Sequence, residues 1–550
     1  MKIKIDGKEF DATNQDTILD VAKRNGVDIP TLCHLKGFSP TSSCRICLVE
    51  VGGKLVTACS FGVSEGLEVI TQSDRIKKAR KTNLELLLSN HNFNCDSCIK
   101  DGACGLQSLA QEYEADENKF FGQKTNCAID SSSNMIVRDN SKCILCKKCV
   151  EVCKFSQAVG VLGENKRGFE TQIGCAFLDP LKNSECVGCG QCVMVCPTGA
   201  LSEKQNLVDV QNLLNSKTKV KIACVAPAVR VAIKEEFGLK SVREAEEIIP
   251  ALLKALGFDK VFDVNFSADL TVVEEAKEFV ERIKANKNLP LFTSCCPAWV
   301  DYVNKFYPEF KKNISSCLSP LLMFGVVAKS YWAQMSGTYE DNISVVSIMP
   351  CTAKKGEIEK SNVDICLTVR ELLYLIKKAK IDIKSLKPVA FDSLMSKSSG
   401  AGVIFGTSGG VMEASLRTVA ETLAGKELKK VDYQTVRGLE GTKIATLFLA
   451  NREIRVAVVS GLMNAKKLLE KIKHKKLDVH FVEVMACEGG CINGGGMPYK
   501  TEDTNINARM NSLYGLDQER EIRKSHKNPE VLAFYEWQQK QKDKTHLHRG

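Results

Sequence analysis

Cys143, Cys146, Cys149 and Cys153 stand in a C-x-x-C-x-x-C-x-x-x-C run, and Cys186, Cys189, Cys192 and Cys196 repeat it, the second run closing on Pro197. No other feature restricts the fold as tightly. Thiols separated by two residues can face one metal centre from a single tight loop, so these segments are expected to wrap inorganic guests rather than cover an apolar face. In all, 25 of the 550 residues are cysteine. Disulfides would suit a small secreted chain; in a long chain with C-x-x-C pairs the expectation is bound metal. The N-terminal stretch "MKIKIDGKEFDATNQDT" has no apolar signal core, so a cytoplasmic location is expected. The length exceeds what one core supports and predicts several domains. A hydrophobic content of 44% and a charged content of 26% are ordinary for a globular protein. No run approaches the roughly 18 apolar residues of a membrane span, so no membrane partner is expected. The formal charge of +10 counts every cysteine as neutral. Thiolate-bound clusters would offset part of it, which argues against nucleic acid and for a basic docking face toward an acidic electron carrier.

Residues 1 to about 75 alternate in "KIKIDGKEF" and "GLEVITQS" around a helical "TILDVAKRNG". Cys33, Cys44, Cys47 and Cys59 lie in this segment, and four thiolates with a central C-x-x-C can hold two irons. Zinc is the alternative guest; the strand pattern around these cysteines resembles the β-grasp fold of plant-type ferredoxins, which favours a 2Fe-2S cluster. Next comes "HNFNCDSCIKDGAC", with His91, Cys95, Cys98 and Cys104. A lone histidine is usually structural, but imidazole beside a C-x-x-C is a competent fourth ligand, and a His-and-three-Cys 4Fe-4S cluster is expected. In two-cluster ferredoxins the fourth cysteine of each run ligates the other cluster. One 4Fe-4S set would then be Cys143, Cys146, Cys149 and Cys196, and the other Cys186, Cys189, Cys192 and Cys153. Lys154 stands where proline is usual after the first run.

One 2Fe-2S and three 4Fe-4S clusters in series move single electrons and do no bond chemistry. The substrate must react in the remainder, where "KVKIACVAPAV", "AEEIIPALLKALGF", "KVFDVNF" and "TVVEEAKEFVERIKA" alternate strand and helix patterns and predict an α/β domain. "LPLFTSCCPAW", "NISVVSIMPC" and "HFVEVMACEGGCINGGGMP" are apolar runs ending in cysteine, so their thiols are expected where strands give way to loops.

At these three loops the sequence resembles the iron-only (FeFe) hydrogenases: "TSCCPAW", "MPCTAKKGE" and "EVMACEGGCINGGG" look like that family's active-site signatures, in the right order and separation. "ADLTVVEEAKEFVERI", "SSGAGVIFGTSGGVMEAS", "VRGLEGTK" and "IRKSHKNPEV" resemble further stretches of its catalytic domain. The resemblance implies an H-cluster, a 4Fe-4S cluster joined through one cysteine to a diiron unit carrying CO, CN and an azadithiolate bridge. Its implied ligands are Cys296, Cys351, Cys487 and Cys491, with Cys491 as the bridge. Cys295 is left free and resembles the family's proton-delivering cysteine, with a path through Glu275, Ser315 and Glu278 to solvent. The two glutamates, three apart on a predicted helix, share a face. Lys354 is implied to hydrogen-bond a cyanide; Met349 and Met485 to pack against the cluster; Ala226 and Pro227 to line the pocket. Cys127, Cys175, Cys224, Cys317 and Cys366 match no ligand position and read as ordinary buried thiols. The sequence departs from the usual signatures at Ala298 for glycine, Leu318 for lysine, and Leu321 and Met497 for glutamine, exchanges expected to tune the site through lost hydrogen bonds.

The expected fold is α/β multidomain: a β-grasp 2Fe-2S domain (1–75), a His/Cys 4Fe-4S domain (76–122), a two-cluster ferredoxin-like domain (123–209), an α/β FeFe-hydrogenase catalytic domain (210–500) and a C-terminal segment wrapping it (501–550). The expected function is reversible H2 oxidation and proton reduction, with H2 and protons as substrates and ferredoxin or flavodoxin as electron partner. Diiron-site maturation proteins are implied, and further electron-transfer subunits that use NADH remain open. A non-catalytic redox or hydrogen sensor, or an iron-sulfur assembly protein of the same fold, is the alternative; the retained Cys295 and the lack of an appended sensory domain argue against it. An electron-transfer subunit like those of respiratory dehydrogenases is opposed by the three C-terminal loops. The glycine-rich stretches at 399–410 and 489–496 have neither a P-loop lysine nor a clear G-x-G-x-x-G frame.

Overall fold

Alternation in "KIKIDGKEF" becomes a hairpin, Lys2–Ile5 against Lys8–Asp11, in the computed structural model, which describes residues 1–125, 127–429, 431–499, 504–541 and 545–549. The chain divides into two units. The first comprises Met1–Phe155, Gly160–Cys186 and Cys192–Ser202; the second comprises Ser156–Val159, Val187–Gln191 and Glu203–Gly550.

In the first unit the hairpin joins a five-stranded mixed sheet through a parallel pairing of Lys2–Ile5 with Glu68–Ile70, and Leu48–Val51 and Lys54–Thr57 complete it. The helix Ile18–Arg24 lays Ile18, Leu19, Val21 and Ala22 on Ile3, Ile5, Val49 and Val69. Thr17 starts that helix in a capping box with Asp20, which satisfies two N–H groups that would otherwise be orphaned. Parallel central strands under one crossover helix make the β-grasp. Beyond it the helix Asp74–Ser89, capped by Ser73, buries Arg80 completely; its guanidinium is spent on the carbonyls of Leu48 and Thr71 and on the Tyr113 hydroxyl. The backbone of Val152–Ser156, around Lys154, forms a widened helical turn.

The second unit is α/β, with two four-stranded sheets among its described residues. One is wholly parallel, in the order Lys260–Asp263, Val220–Val225, Ile343–Met349, Ile365–Thr368. Its strands read as near-continuous apolar runs because helices cover both faces. The other runs Leu291–Phe292, Phe481–Met485, Arg452–Ser460, Thr442–Leu449, antiparallel only at its last pair. The run "KVFDVNF" does not stay extended to its end. The strand stops at Asp263, whose carboxylate accepts the Asn265 N–H at 3.0 Å, and the 21-residue helix Asn265–Ala285 begins there. That helix is buried through its first nine residues and carries Glu275 and Glu278 on one side. The helices Ile506–Gln518 and Pro529–Gln539 close the unit.

Candidate active site

Four of the strand ends in the second unit deliver their following loops to one place. Cys351 comes two residues after Ile343–Met349, Ala226 and Pro227 follow Val220–Val225, and Cys487 and Cys491 follow Phe481–Met485. Cys296 follows Leu291–Phe292 and occupies the N-cap of the helix Pro297–Phe306, with Pro297 in its first turn. Crevices beyond the carboxyl ends of strands are where α/β proteins bind ligands, because the loops there are free of sheet constraints. All these residues line one cavity together with Cys295, Met349, Met485, Lys354, Ala298, Leu321 and Cys189. Its walls come close because they are backbone. A Cβ on Gly494 would sit 2.1 Å from the Pro350 carbonyl oxygen, and Gly490, at φ +94°, would bring one 2.6 Å from the Ser408 nitrogen.

The chemistry of this donor set fits a cluster. Cys296, Cys351, Cys487 and Cys491 are free of disulfides. Burial pushes the thiols of Cys296, Cys351 and Cys491 above the ordinary range, so without a cation they stay neutral; iron is what makes such groups thiolates. Gln191 donates its amide N–H to Cys487 Sγ at 3.2 Å. Lys354 Nζ donates to the Cys295 carbonyl at 3.2 Å, to Ser319 Oγ at 2.9 Å and to Glu357 Oε2 at 2.6 Å. Burial works against its charge, but the Glu357 carboxylate more than offsets that and holds the ammonium above its usual range.

The two adjacent thiols both line the cavity, but their surroundings differ: Cys296 lies near Lys354 and Cys351, whereas Cys295 belongs to an apolar cluster with Ala268, Val272, Ala401 and Phe405, against which Cys296 also packs, and lies near Glu275. Burial, reinforced by Glu275 and Cys296, raises the Cys295 thiol, which therefore holds its proton. Glu275 is buried; burial and the nearby Glu278 charge push its carboxyl up to about 8. Its Oε1 accepts the Ser294 N–H at 3.4 Å. Ser315 Oγ donates to Glu278 Oε2 at 2.9 Å and also bonds Glu275. Glu278 is clasped by Arg282 one turn on, by the Ser316 N–H at 3.0 Å and by the Ser316 hydroxyl at 3.1 Å. Ser315 thus links Glu275 and Glu278 by hydrogen bonds, and Glu275 lies near Cys295.

In the first unit the Cys44 and Cys33 sulfurs lie 3.3 Å apart, and Cys47 and Cys59 bond within the same group of four. His91 is buried with Nδ1 unpartnered among the described residues, and burial with Lys142 and Lys124 nearby lowers its pKa to about 4, so the ring is a neutral ligand-type imidazole. Cys95, Cys98 and Cys104 are near enough to one another for their charges to interact. Cys143, Cys146, Cys149 and Cys196 line one small cavity with Ile144, Ile173 and Pro197. Cys153, Cys186 and Cys192 belong to the first unit and Cys189 to the second.

Of the four exchanged positions, Ala298 and Leu321 are on the cavity wall. Leu318 and Met497 are not: Leu318 packs on the core and gives its N–H to the Leu547 carbonyl, and Met497 is fully buried, its carbonyl accepting from Arg370. Cys175, Cys224, Cys317 and Cys366 are buried thiols, but Cys127 is only partly so. Sequence reasoning missed Arg282, Ser316, Glu357 and Gln191. Arg282 and Glu357 had a signal, a charge three or four residues from a named partner. Ser316 and Gln191 had none.

A model of the C-terminal domain of the iron-only hydrogenase large subunit matches residues 219–495. Models of a 2Fe-2S cluster binding domain, the iron-sulfur binding region of NADH-ubiquinone oxidoreductase G, a 4Fe-4S dicluster domain and the iron hydrogenase small subunit match residues 1–74, 80–119, 142–200 and 503–548. The chain is 41% identical to the NADP-reducing hydrogenase subunit HndD of Solidesulfovibrio fructosivorans, over 98% of this chain and 95% of that protein. It is 40% identical to iron hydrogenase 1 of Clostridium pasteurianum, over 97% and 96%. A solved structure of a variant of apo [FeFe]-hydrogenase HydA1 from Chlamydomonas reinhardtii superimposes with a TM-score of 0.53 at 36% identity, over 60% of this chain and 93% of that one.

Proposed function

The chain belongs to the iron-only hydrogenase family, and from that premise we propose that Cys296, Cys351, Cys487 and Cys491 hold its H-cluster while Cys295 exchanges protons with it. The protein is an oxidoreductase acting on H2. The H-cluster supplies, when bound, the redox-active iron at which H2 is made or split. What the chain's own residues do is carry protons and electrons to that place and keep water from it.

The observation that carries the reading is the different company of the adjacent thiols on one cavity wall, Cys296 beside Lys354 and Cys295 beside Glu275. Burial holds a proton on Cys295, and Glu275 is the nearby carboxyl that would replace it. Glu275, raised to about 8, is itself protonated at neutral pH and passes its proton to Ser315, whose hydroxyl both accepts and donates. Glu278 completes the line. Lys354, held charged by Glu357, is an ammonium at the cavity wall suited to a cyanide. Met349 and Met485 are soft, adaptable packing against the guest, and Ala226 and Pro227 shape its floor.

The remaining sets serve the electrons: a 2Fe-2S cluster on Cys33, Cys44, Cys47 and Cys59, a 4Fe-4S cluster on His91, Cys95, Cys98 and Cys104, and two more on the paired runs. The bond from Gln191 to Cys487 Sγ supports electron arrival at that corner of the cavity, since Cys189 lies two residues away on the same wall. The direct donor or acceptor is a ferredoxin or flavodoxin. Partner subunits that use a pyridine nucleotide are the second reading, favoured by the 41% identity to a subunit of an NADP-reducing hydrogenase. No helix among the described residues is long and apolar enough to cross a membrane.

Cys295→Ala and Cys296→Ala separate the roles. In protein matured with the diiron unit, Cys295→Ala should keep the carbonyl and cyanide infrared bands and iron content while turnover collapses. Cys296→Ala should lose the active-site cluster itself. Near-normal turnover in Cys295→Ala refutes the proton assignment.

A further inference from the structure

The last residues of the chain come back to the proton line. Leu547 accepts the Leu318 N–H at 2.9 Å, and the Arg549 N–H donates to the Ser316 carbonyl at 2.7 Å, so that Cys317 and His548 pair as an antiparallel bridge. Leu547 is buried and Arg549 donates to the Ser294 carbonyl at 3.2 Å, which pins the strand on both sides of His548. The imidazole is thereby held with Nδ1 2.9 Å from Ser316 Oγ and Nε2 3.2 Å from Glu274 Oε2, its side chain 42% exposed.

We propose that His548 is the solvent-side end of the proton route, passing protons between bulk water and Glu278 through the Ser316 hydroxyl. This rests on the reading of Glu278 as a member of that route. The bonds around Glu278 leave little alternative. Its Oε1 is held by Arg282, whose guanidinium does not give up a proton. Its Oε2 meets two hydroxyls, Ser315 on the inward side and Ser316 on the outward side. Unlike the guanidinium, a hydroxyl can both take and give a proton, and Ser316 Oγ sits 3.1 Å from Glu278 and 2.9 Å from His548. Cys317 Sγ bonds both the carboxylate and the imidazole, but at 3.9 Å, the long end for sulfur, so the Ser316 hydroxyl is the shorter link.

Moving inward, the imidazolium gives its Nδ1 proton to Ser316 Oγ as the Ser316 hydroxyl gives its own to Glu278 Oε2. One proton has moved, no electron has, and the ring is left neutral with its proton on Nε2. Rotation of the exposed ring presents the bare nitrogen to water, which recharges it. For H2 oxidation every transfer runs the other way. The charged groups facing the ring and its partners are Glu274, itself held by Lys277 and Tyr535, together with Glu278, Arg282 and Arg549. An imidazole is suited to this end because it can take a proton on one ring nitrogen while releasing one from the other.

The test uses the full-length matured enzyme, with turnover in both directions driven by an artificial redox mediator in dilute buffer, with and without added imidazole. His548→Ala should lose about ten-fold, less than the hundred-fold or more typical of acid–base groups because water partly substitutes, and imidazole should restore most of the loss in a saturable way. Ser316→Ala and Glu278→Gln should also lose turnover, but imidazole should restore neither, since the break lies inside its reach. Hydrogen exchange at the Leu318 amide should be as slow in His548→Ala as in the parent, which separates a lost carrier from a lost tail. Should that amide become exposed, His548→Gln decides, because glutamine keeps the hydrogen bond and cannot carry a proton. Parental turnover in either variant, or a loss that imidazole leaves untouched with the bridge intact, overturns the proposal. If Glu278→Gln keeps its turnover, the inner route is at fault; if Glu278→Gln is inactive and His548→Gln is not, only the role of His548 falls.

Discussion

Glu275→Gln should stabilise the catalytic unit while stopping turnover. Glu275 is 1% exposed, and burial, with the Glu278 charge beside it, moves its pKa from 4.5 to about 8. Between those values the unfolded chain has released this proton and the folded chain has kept it. The folded state binds more protons, so stability falls as pH rises through the window and levels off above about pH 8. At 1.36 kcal/mol per unit, the penalty is about 2 kcal/mol at pH 6, about 3 at pH 7 and somewhat over 4 at pH 8. Glutamine keeps an oxygen for the Ser294 N–H and carries no charge, so the variant escapes the penalty. Its advantage over the parent should therefore grow by about 2 kcal/mol between pH 6 and pH 8. Trp299, Trp332 and Trp537, all three tryptophans, lie in the second unit, and urea unfolding followed by their fluorescence reads that unit alone. Turnover of the same variant should drop by about a hundred-fold or more, since an amide cannot relay a proton. An advantage that stays constant from pH 6 to pH 8 would mean that Glu275 is ionised in the parent, and the neutral-carrier argument would fail.

Two further outcomes test the same geometry. Ser315→Ala and Glu278→Gln should each cut turnover strongly, and the double variant should lose far less than the product of the two, because the groups act in series; multiplicative losses would indicate separate roles. Leu321→Gln places a donor and an acceptor on the cavity wall, and it should shift the carbonyl and cyanide infrared bands and the ratio of H2 uptake to evolution at unchanged iron content. The same exchange at Met497, away from that wall, should move neither, and equal shifts at both positions would refute a local effect.

Much of this protein could be read along the chain because metal ligation by cysteine is a local code. A C-x-x-C pair brings two sulfurs to one centre through three residues of backbone, so the cysteine runs and the three strand-end loops stood out before any packing was considered. Glu275 and Glu278 were legible for the same kind of reason, three residues apart on one helix. The surroundings of each adjacent thiol were not, for they depend on Cys296 standing at the start of a helix near Lys354 while Cys295 packs with Ala268 and Phe405 near Glu275. Nor was the fate of the exchanged residues: spacing put Leu318, Leu321 and Met497 on equal terms, and only packing placed Leu321 on the cavity wall and the other two away from it. His548 is the limiting case. It lies 232 residues from Ser316 and has no motif around it, and what brings the two within 2.9 Å is a backbone bridge anchored by a buried leucine. Long-range pairing of that kind is set by which surfaces remain to be covered once the core has formed, a property of the folded body that no local spacing encodes.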